Sequence, residues 1–244
     1  DDIMDSSKKR RGFETVHEKW NVNQAILSGD SMLIMATEFL DFYDSKIQKE
    51  LLKLFNSTAL EVCEGQQLDI EFEKKTDIDF DDYIEMITKK TSVLIASSIK
   101  MGGIINQLDS GELDILYNIG LNLGIAFQIQ DDYLDLFGDE KIIGKKVGQD
   151  VVNNKKTALH HLFVNTASEA QLGKYHDYTN INNDDEKIEK IKSLFIESDV
   201  EKSLKKLVQE YSNNATSAIE SLNPKFSKTS DLILLSEFLL KRNY

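Results

Sequence analysis

Residues 115–135, ILYNIGLNLGIAFQIQDDYLD, decide the fold. From Ile115 to Gln130 no charged side chain interrupts the run. A bilayer span takes about 20 apolar residues. This run is shorter, and Asn118, Asn122, Gln128 and Gln130 break it. Its apolar side chains lie nearly all round a helical wheel, so the segment predicts a central helix packed by others. The end of that helix delivers Gln128, Asp131, Asp132 and Asp135 to one place.

Helical periodicity continues on both sides. Between Gln24 and Tyr43 the residues Ile26, Leu27, Met32, Leu33, Met35, Ala36, Phe39, Leu40 and Tyr43 recur at three- and four-residue steps. Asp81 to Met101 repeats the pattern through Tyr83, Ile84, Ile87, Val93, Leu94 and Ala96. Ile188 to Ile219 reads as two helices broken near Glu197-Ser198-Asp199. Loops are expected at Lys8–Gly12, Lys74–Asp79, Gly102-Gly103, Gly138–Gly148 and Asn180–Glu186, and the polar segment Thr179–Lys192 reads as solvated loop. No alternating run predicts a sheet. A single proline in 244 residues leaves room for long helices. The expectation is an all-α, single-domain helical bundle over residues 1–244.

A formal charge of −13 argues against nucleic acid and against an anionic membrane surface as partners. The lone cysteine, Cys63, excludes an intramolecular disulfide and reads as a small buried residue in a reducing, cytoplasmic setting.

The cluster Asp131-Asp132-Tyr133-Leu134-Asp135 has a twin at the start of the chain, Asp1-Asp2-Ile3-Met4-Asp5. On a helix the first and fifth residues share a face, where like charges repel. Two such clusters ask for an external cation. Carboxylate oxygens suit magnesium, which takes one or two protein carboxylates and completes its shell with water and phosphate. Each cluster is followed by cations: Lys8-Lys9-Arg10-Arg11-Gly12 after the first, and Lys145, Lys146, Lys155 and Lys156 after the second. Arginine forks and lysine point charges both suit phosphate oxygens. The residues alone therefore predict two helices facing across a cleft, holding a phosphorylated substrate through bridging magnesium. Glu14-x-x-His17 has the spacing of one half of a di-iron site. No second such step precedes His160, His161 or His176, so His17 reads as structural.

Asp1-Asp2-Ile3-Met4-Asp5 with Arg10-Arg11-Gly12, and Phe127 to Asp135, resemble the two aspartate-rich motifs of the trans-isoprenyl diphosphate synthases (polyprenyl synthetases, farnesyl and geranylgeranyl diphosphate synthase-like). Thr15-Val16-His17, the stretch Asn23–Asp30, Gly65-Gln66-x-x-Asp69, Lys90-Thr91 and Gly144-Lys145-x-x-Gly148-x-Asp150 are similar to the same family, in order along the chain. The resemblance implies a bundle around a deep central cavity, a homodimer, and head-to-tail 1′-4 addition of isopentenyl diphosphate to an allylic diphosphate. It implies Asp1, Asp5 and Asp131 as magnesium ligands, with three ions when diphosphate is bound, and Asp2, Asp132 and Asp135 as indirect partners. Arg10, Lys90, Lys145, Lys155 and Gln128 would hold the allylic diphosphate and Arg11 the isopentenyl diphosphate. Thr91 and Gln66 would lie beside the scissile carbon.

Two alternatives are a terpene cyclase, and a non-catalytic subunit of a heteromeric synthase. A complete second Asp-Asp-x-x-Asp with a lysine loop counts against the first, and retention of both clusters against the second. The chain opens inside its first motif, so the expectation is a domain lacking its N-terminal helices, and a 244-residue protein impaired by that loss. In the family, product length is set just before the first motif. The lack of inserted residues in that motif suggests a C15 or C20 product.

Overall fold

The structure, a computed structural model, describes residues 2–75, 78–139, 147–222 and 229–240. The proposed magnesium ligand Asp1 and the proposed phosphate-binding Lys145 lie outside the described residues. Helices dominate, as the periodicity predicts. They are α1 (Val16–Lys19), α2 (Val22–Glu38), α3 (Ser45–Phe72), α4 (Phe80–Ile87), α5 (Val93–Ile105), α6 (Ser110–Phe137) and α7 (Gln149–Val152). There follow α8 (Ala158–Thr166), α9 (Glu169–Thr179), α10 (Asp184–Glu197), α11 (Val200–Leu222) and α12 (Thr229–Leu240). A 3₁₀ turn, Phe39–Phe42, extends α2, and a π-helical turn, Thr88–Ser92, joins α4 to α5.

The uncharged run forms the centre of α6. A capping box between Asp109 and Glu112 starts this helix, and it packs against both α5 and α11. Ile119, Leu123 and Ile129 are fully buried along it, each worth about 1.5–3 kcal/mol relative to exposure. Its N-terminal half, through Leu116, Ile119 and Leu123, packs with Ala215, Ile219 and Leu222. Its C-terminal half, through Ile125, Ile129 and Leu136, packs with Tyr83, Ile87, Phe163, Ile191 and Leu204. The acidic end of α6 is thereby carried on the most deeply packed helix.

Four local expectations are corrected. Lys9–Arg10 and Phe13–Glu14 pair as an antiparallel hairpin, Arg10 opposite Phe13; strands of two residues carry no alternation to read. Gly102-Gly103 lies inside α5, because apolar packing outweighs the roughly 1 kcal/mol that each glycine costs a helix. Asp184 to Lys192 belongs to α10. Asn183 caps it by accepting from Glu186 N, and three acidic residues occupy its first turn, where the helix dipole favours them. Cys63 is exposed on α3. The expected break between α10 and α11 falls at Ser198-Asp199.

Helix α2 forms where its periodicity predicts, yet none of its residues is buried. Met32, Leu33, Ile34 and Met35 are all more than half exposed.

Candidate active site

Residues 2–6, which carry Asp2 and Asp5 of the first aspartate cluster, form a turn rather than a helical run. Ser6, at a φ of 50°, donates its N–H to Ile3 O, and Ser7 donates to Asp2 O. These are the two bonds of a Schellman closure. Carboxylates gathered at such a turn favour cations. Arg10 supplies one: its guanidinium grips Asp2 Oδ1 at 2.7 Å through both Nε and Nη2. The hairpin carries Arg10 back to the cluster by turning through Arg11 and Gly12, at φ of 52° and 82°. Two successive positive φ values mark the type I′ class of hairpin turn, and glycine accepts the second at no steric cost. Thr15, buried, ties the hairpin base down by donating to Ser7 O at 2.7 Å. Arg11 is exposed at the tip.

The last turns of α6 split the second cluster. Asp132 and Asp135 are buried, while Asp131 is half-buried. Asp132 Oδ2 accepts from the Tyr83 hydroxyl at 2.7 Å and the Ala158 N–H at 2.9 Å. Its Oδ1 accepts from Gln128 Nε2 at 3.2 Å. Burial raises the Asp132 carboxyl above the ordinary range, with the Asp131 charge adding to it, against the pull of the three donors. Asp135 Oδ2 accepts from the Asp150 N–H at 3.0 Å, and so anchors the start of α7.

Lys155 closes the gap between the clusters. Its Nζ lies 3.4 Å from Asp5 Oδ1 and 3.7 Å from Asp69 Oδ2. Lys90 reaches the same Asp69 oxygen at 2.7 Å. Burial pulls the Lys155 ammonium down, but Asp69, Asp150 and Asp5 outweigh it and hold its pKa well above the ordinary lysine value. Lys90 and Thr91 stand on the π turn, a feature that recurs at functional sites. That turn is pressed between α3 and α6: a Cβ on Gly65 would meet Lys90 N at 2.2 Å, and one on Gly124 would meet Ser92 Cα at 2.5 Å. Backbones approach that closely only where side chains are absent. Thr91 Oγ1 donates to Gln128 Oε1 at 2.9 Å.

Between these groups lies a cleft of about 80 Å³. Its polar part carries Asp69, Lys90, Gln128, Asp132, Asp150 and Lys155, and its apolar part Phe72, Met86 and Ile87. Gln66 stands one turn before Asp69 on α3, its Nε2 buried without a hydrogen-bond partner among the described residues. The structure thus gathers Asp5, Lys90, Lys155, Thr91, Gln128 and Asp132, keeps Asp2 with Arg10, and leaves Arg11 exposed at the hairpin tip. Asp69, Asp150 and Tyr83 join the cleft with no role assigned from sequence. The first two were visible only inside the longer family segments, and Tyr83 only as an apolar helix position.

Among the described residues no three acidic, histidine or cysteine side chains converge on a point. Asp5 and Asp131 are nonetheless hard oxygen donors and neither is fully buried. This donor set suits a magnesium ion that brings phosphate oxygens of its own rather than one held in an all-protein cage.

Residues 1–197 match the family profile described as Polyprenyl synthetase. The chain belongs to the polyprenyl synthetase family. Over 170 residues it is 41% identical to a short chain isoprenyl diphosphate synthase of Methanothermobacter thermautotrophicus, covering 69% of this chain and 52% of that one. The match spans about half the length of that relative. A solved structure of a geranylgeranyl pyrophosphate synthase superposes with a TM-score of 0.93 at 40% identity, over 100% of this chain and 76% of the other. A geranylgeranyl pyrophosphate synthase from Corynebacterium glutamicum, described as complexed with isoprenyl diphosphate and magnesium, gives 0.89 at 25% identity. That likeness covers 99% of this chain and 74% of the other. As a polyprenyl synthetase the chain has the all-α fold expected of it. Among the described residues no helix is long and apolar enough to cross a membrane.

Proposed function

We propose that this polyprenyl synthetase is a prenyltransferase that condenses isopentenyl diphosphate with an allylic diphosphate to give a linear trans-polyprenyl diphosphate, C15 or C20. The supporting observation is Lys155, which lies between Asp5 and Asp69 and lines a cleft together with Lys90, Gln128, Asp132 and Asp150. Cations and carboxylates so interleaved suit a diphosphate whose charge is shared between ammonium groups and metal ions.

In this reading Asp1, Asp5 and Asp131 would ligate magnesium, with three ions when the diphosphate is bound. The magnesium ions would draw off negative charge that builds on the departing pyrophosphate. Arg10, Lys90, Lys155 and Lys145 hold the remaining phosphate oxygens. Asp2 orients Arg10, and Asp69 keeps Lys90 and Lys155 side by side until diphosphate displaces it. Asp132 and Asp135 aim Gln128 and the start of α7. Thr91, Gln128 and Gln66 offer oxygens to the allylic cation as the carbon–oxygen bond breaks. Arg11 receives isopentenyl diphosphate, whose double bond attacks that cation and then loses a proton. Met86 and Ile87 shelter the reacting carbons from water.

The same proposal takes residues 1–244 as one domain and a second copy of the chain as partner. The exposed apolar residues of α2 form the kind of surface that marks a protein interface. The same reading takes the setting as cytoplasmic. The test is product analysis with labelled isopentenyl diphosphate and allylic partners of five to fifteen carbons, using the natural full-length polypeptide. Linear, longer diphosphates support the reading; cyclic products, or none with any partner, would overturn it.

A further inference from the structure

Tyr83 is 1% exposed, and none of the roles assigned above uses it. Its ring is held by Phe80, stacked with centroids 5.9 Å apart, and by His161 at 5.6 Å. Its hydroxyl ends at Asp132 Oδ2, 2.7 Å away. From there the bonds continue in one direction. Gln128 Nε2 donates to Asp132 Oδ1, and Thr91 Oγ1 donates to Gln128 Oε1.

The direction follows from what each group can do. A carboxylate only accepts, and an amide has one donating end and one accepting end. With Asp132 as acceptor, Gln128 must turn its NH₂ toward it, which leaves its carbonyl oxygen facing Thr91. The Thr91 hydroxyl owns a single hydrogen, and Gln128 takes it. What Thr91 Oγ1 presents elsewhere is lone pairs. A cation forming beside Thr91 then meets an acceptor oxygen and not an O–H hydrogen. Burial, reinforced by the neighbouring Asp132, raises the Tyr83 pKa well above that of free tyrosine, so its hydroxyl stays a donor.

We propose that Tyr83 is a positioning residue that holds the Asp132 carboxylate, and through it the Asp132–Gln128–Thr91 chain, in one arrangement and thereby keeps the Thr91 oxygen an acceptor. Without the hydroxyl, Asp132 Oδ2 keeps only the Ala158 N–H among the described residues, and the carboxylate plane can turn. Gln128 then follows an acceptor whose position is no longer fixed, and its bond to Thr91 loosens with it. The inference rests on the prenyl-transfer reading, in which the allylic cation forms beside Thr91.

The test is Tyr83→Phe in the natural full-length polypeptide, read two ways. Steady-state kinetics should show kcat lowered roughly ten-fold or more, with KM for both diphosphates within about two-fold, because the loss falls on the transition state. In ¹⁵N–¹H spectra the Gln128 side-chain amide pair, assigned by its disappearance in Gln128→Leu, should shift in Tyr83→Phe while backbone signals of the α6–α11 core stay in place. Unchanged kcat, a rise in KM at constant kcat, or an unmoved Gln128 amide pair would each overturn the proposal. Absence of product from the unsubstituted protein would instead sink the prenyl-transfer reading, and the amide signals would still decide the role of Tyr83.

Discussion

Lys155 Nζ lies 3.4 Å from Asp5 Oδ1, joining the first aspartate cluster to the segment that follows the second, 150 residues away in sequence. The contact is partly buried, with side-chain exposures of 20% for Lys155 and 27% for Asp5. Asp69, still closer to burial, shares the same ammonium and that of Lys90. Lysines that leave a carboxylate for a phosphate exchange one anion for another, so little new desolvation accompanies binding.

Replacing Lys155 by alanine should therefore weaken inorganic pyrophosphate binding by about ten-fold or more, about 1.4 kcal/mol. It should also lower the unfolding free energy by roughly 1–2 kcal/mol. That is less than the 3–5 kcal/mol of a fully buried broken pair, because Lys90 still neutralises Asp69. Calorimetric titration and urea unfolding check the two effects. Unchanged pyrophosphate affinity would mean that the lysine is purely structural.

The two ends of the second cluster should behave differently on substitution. Asp131→Ala is expected to reduce turnover by orders of magnitude with little change in unfolding midpoint, since it relieves repulsion with a neighbouring carboxylate. Asp132→Ala leaves the buried Tyr83 hydroxyl and Ala158 N–H without their acceptor, and should cost about 2–4 kcal/mol of stability in addition to activity. Thermal unfolding of the pair checks this; equal destabilisation by both would contradict it.

Gly65→Ala places a methyl group 2.2 Å from Lys90 N, against backbone that cannot swing aside. The π turn must move, so stability should fall by about 1–3 kcal/mol or more. Pyrophosphate affinity should fall with it as Lys90 is displaced. Loss of stability with wild-type affinity would show that the turn does not position Lys90.

His160 sets a pH dependence of stability. Burial, together with the charges of His161 and Lys156, lowers its pKa from 6.5 to about 4. The unfolded chain then binds a proton more readily than the folded one between those values, so stability is full above about pH 6.5 and declines toward pH 4. The loss from this residue amounts to about 3 kcal/mol at most. Urea midpoints from pH 4 to pH 8 should show the decline, and His160→Gln should flatten it; an equally steep profile in the variant would assign the decline elsewhere.

Legibility in the sequence tracked repetition and length. The twin aspartate clusters could be read because they are two, and α6 because its apolar run is long. Asp69 is a single carboxylate on a helix, and only the fold reveals that two lysines close on it. Tyr83 was counted among the apolar positions of its helix, which its ring confirms and its hydroxyl does not. The π turn at Thr88–Ser92 leaves the spacing of apolar residues almost intact, so one added residue per turn goes unseen. Helix α2 illustrates the converse: its periodicity predicted the helix, and nothing in periodicity says whether an apolar stripe meets a core or another surface.

On the proposed reading the two aspartate clusters hold a diphosphate through magnesium. Calorimetric titration of inorganic pyrophosphate into the natural full-length polypeptide, with magnesium and then with excess chelator, tests it most directly. Binding should occur in magnesium and be lost both in chelator and in Asp131→Ala. Equal affinity in both buffers, or undiminished affinity in Asp131→Ala, would contradict it.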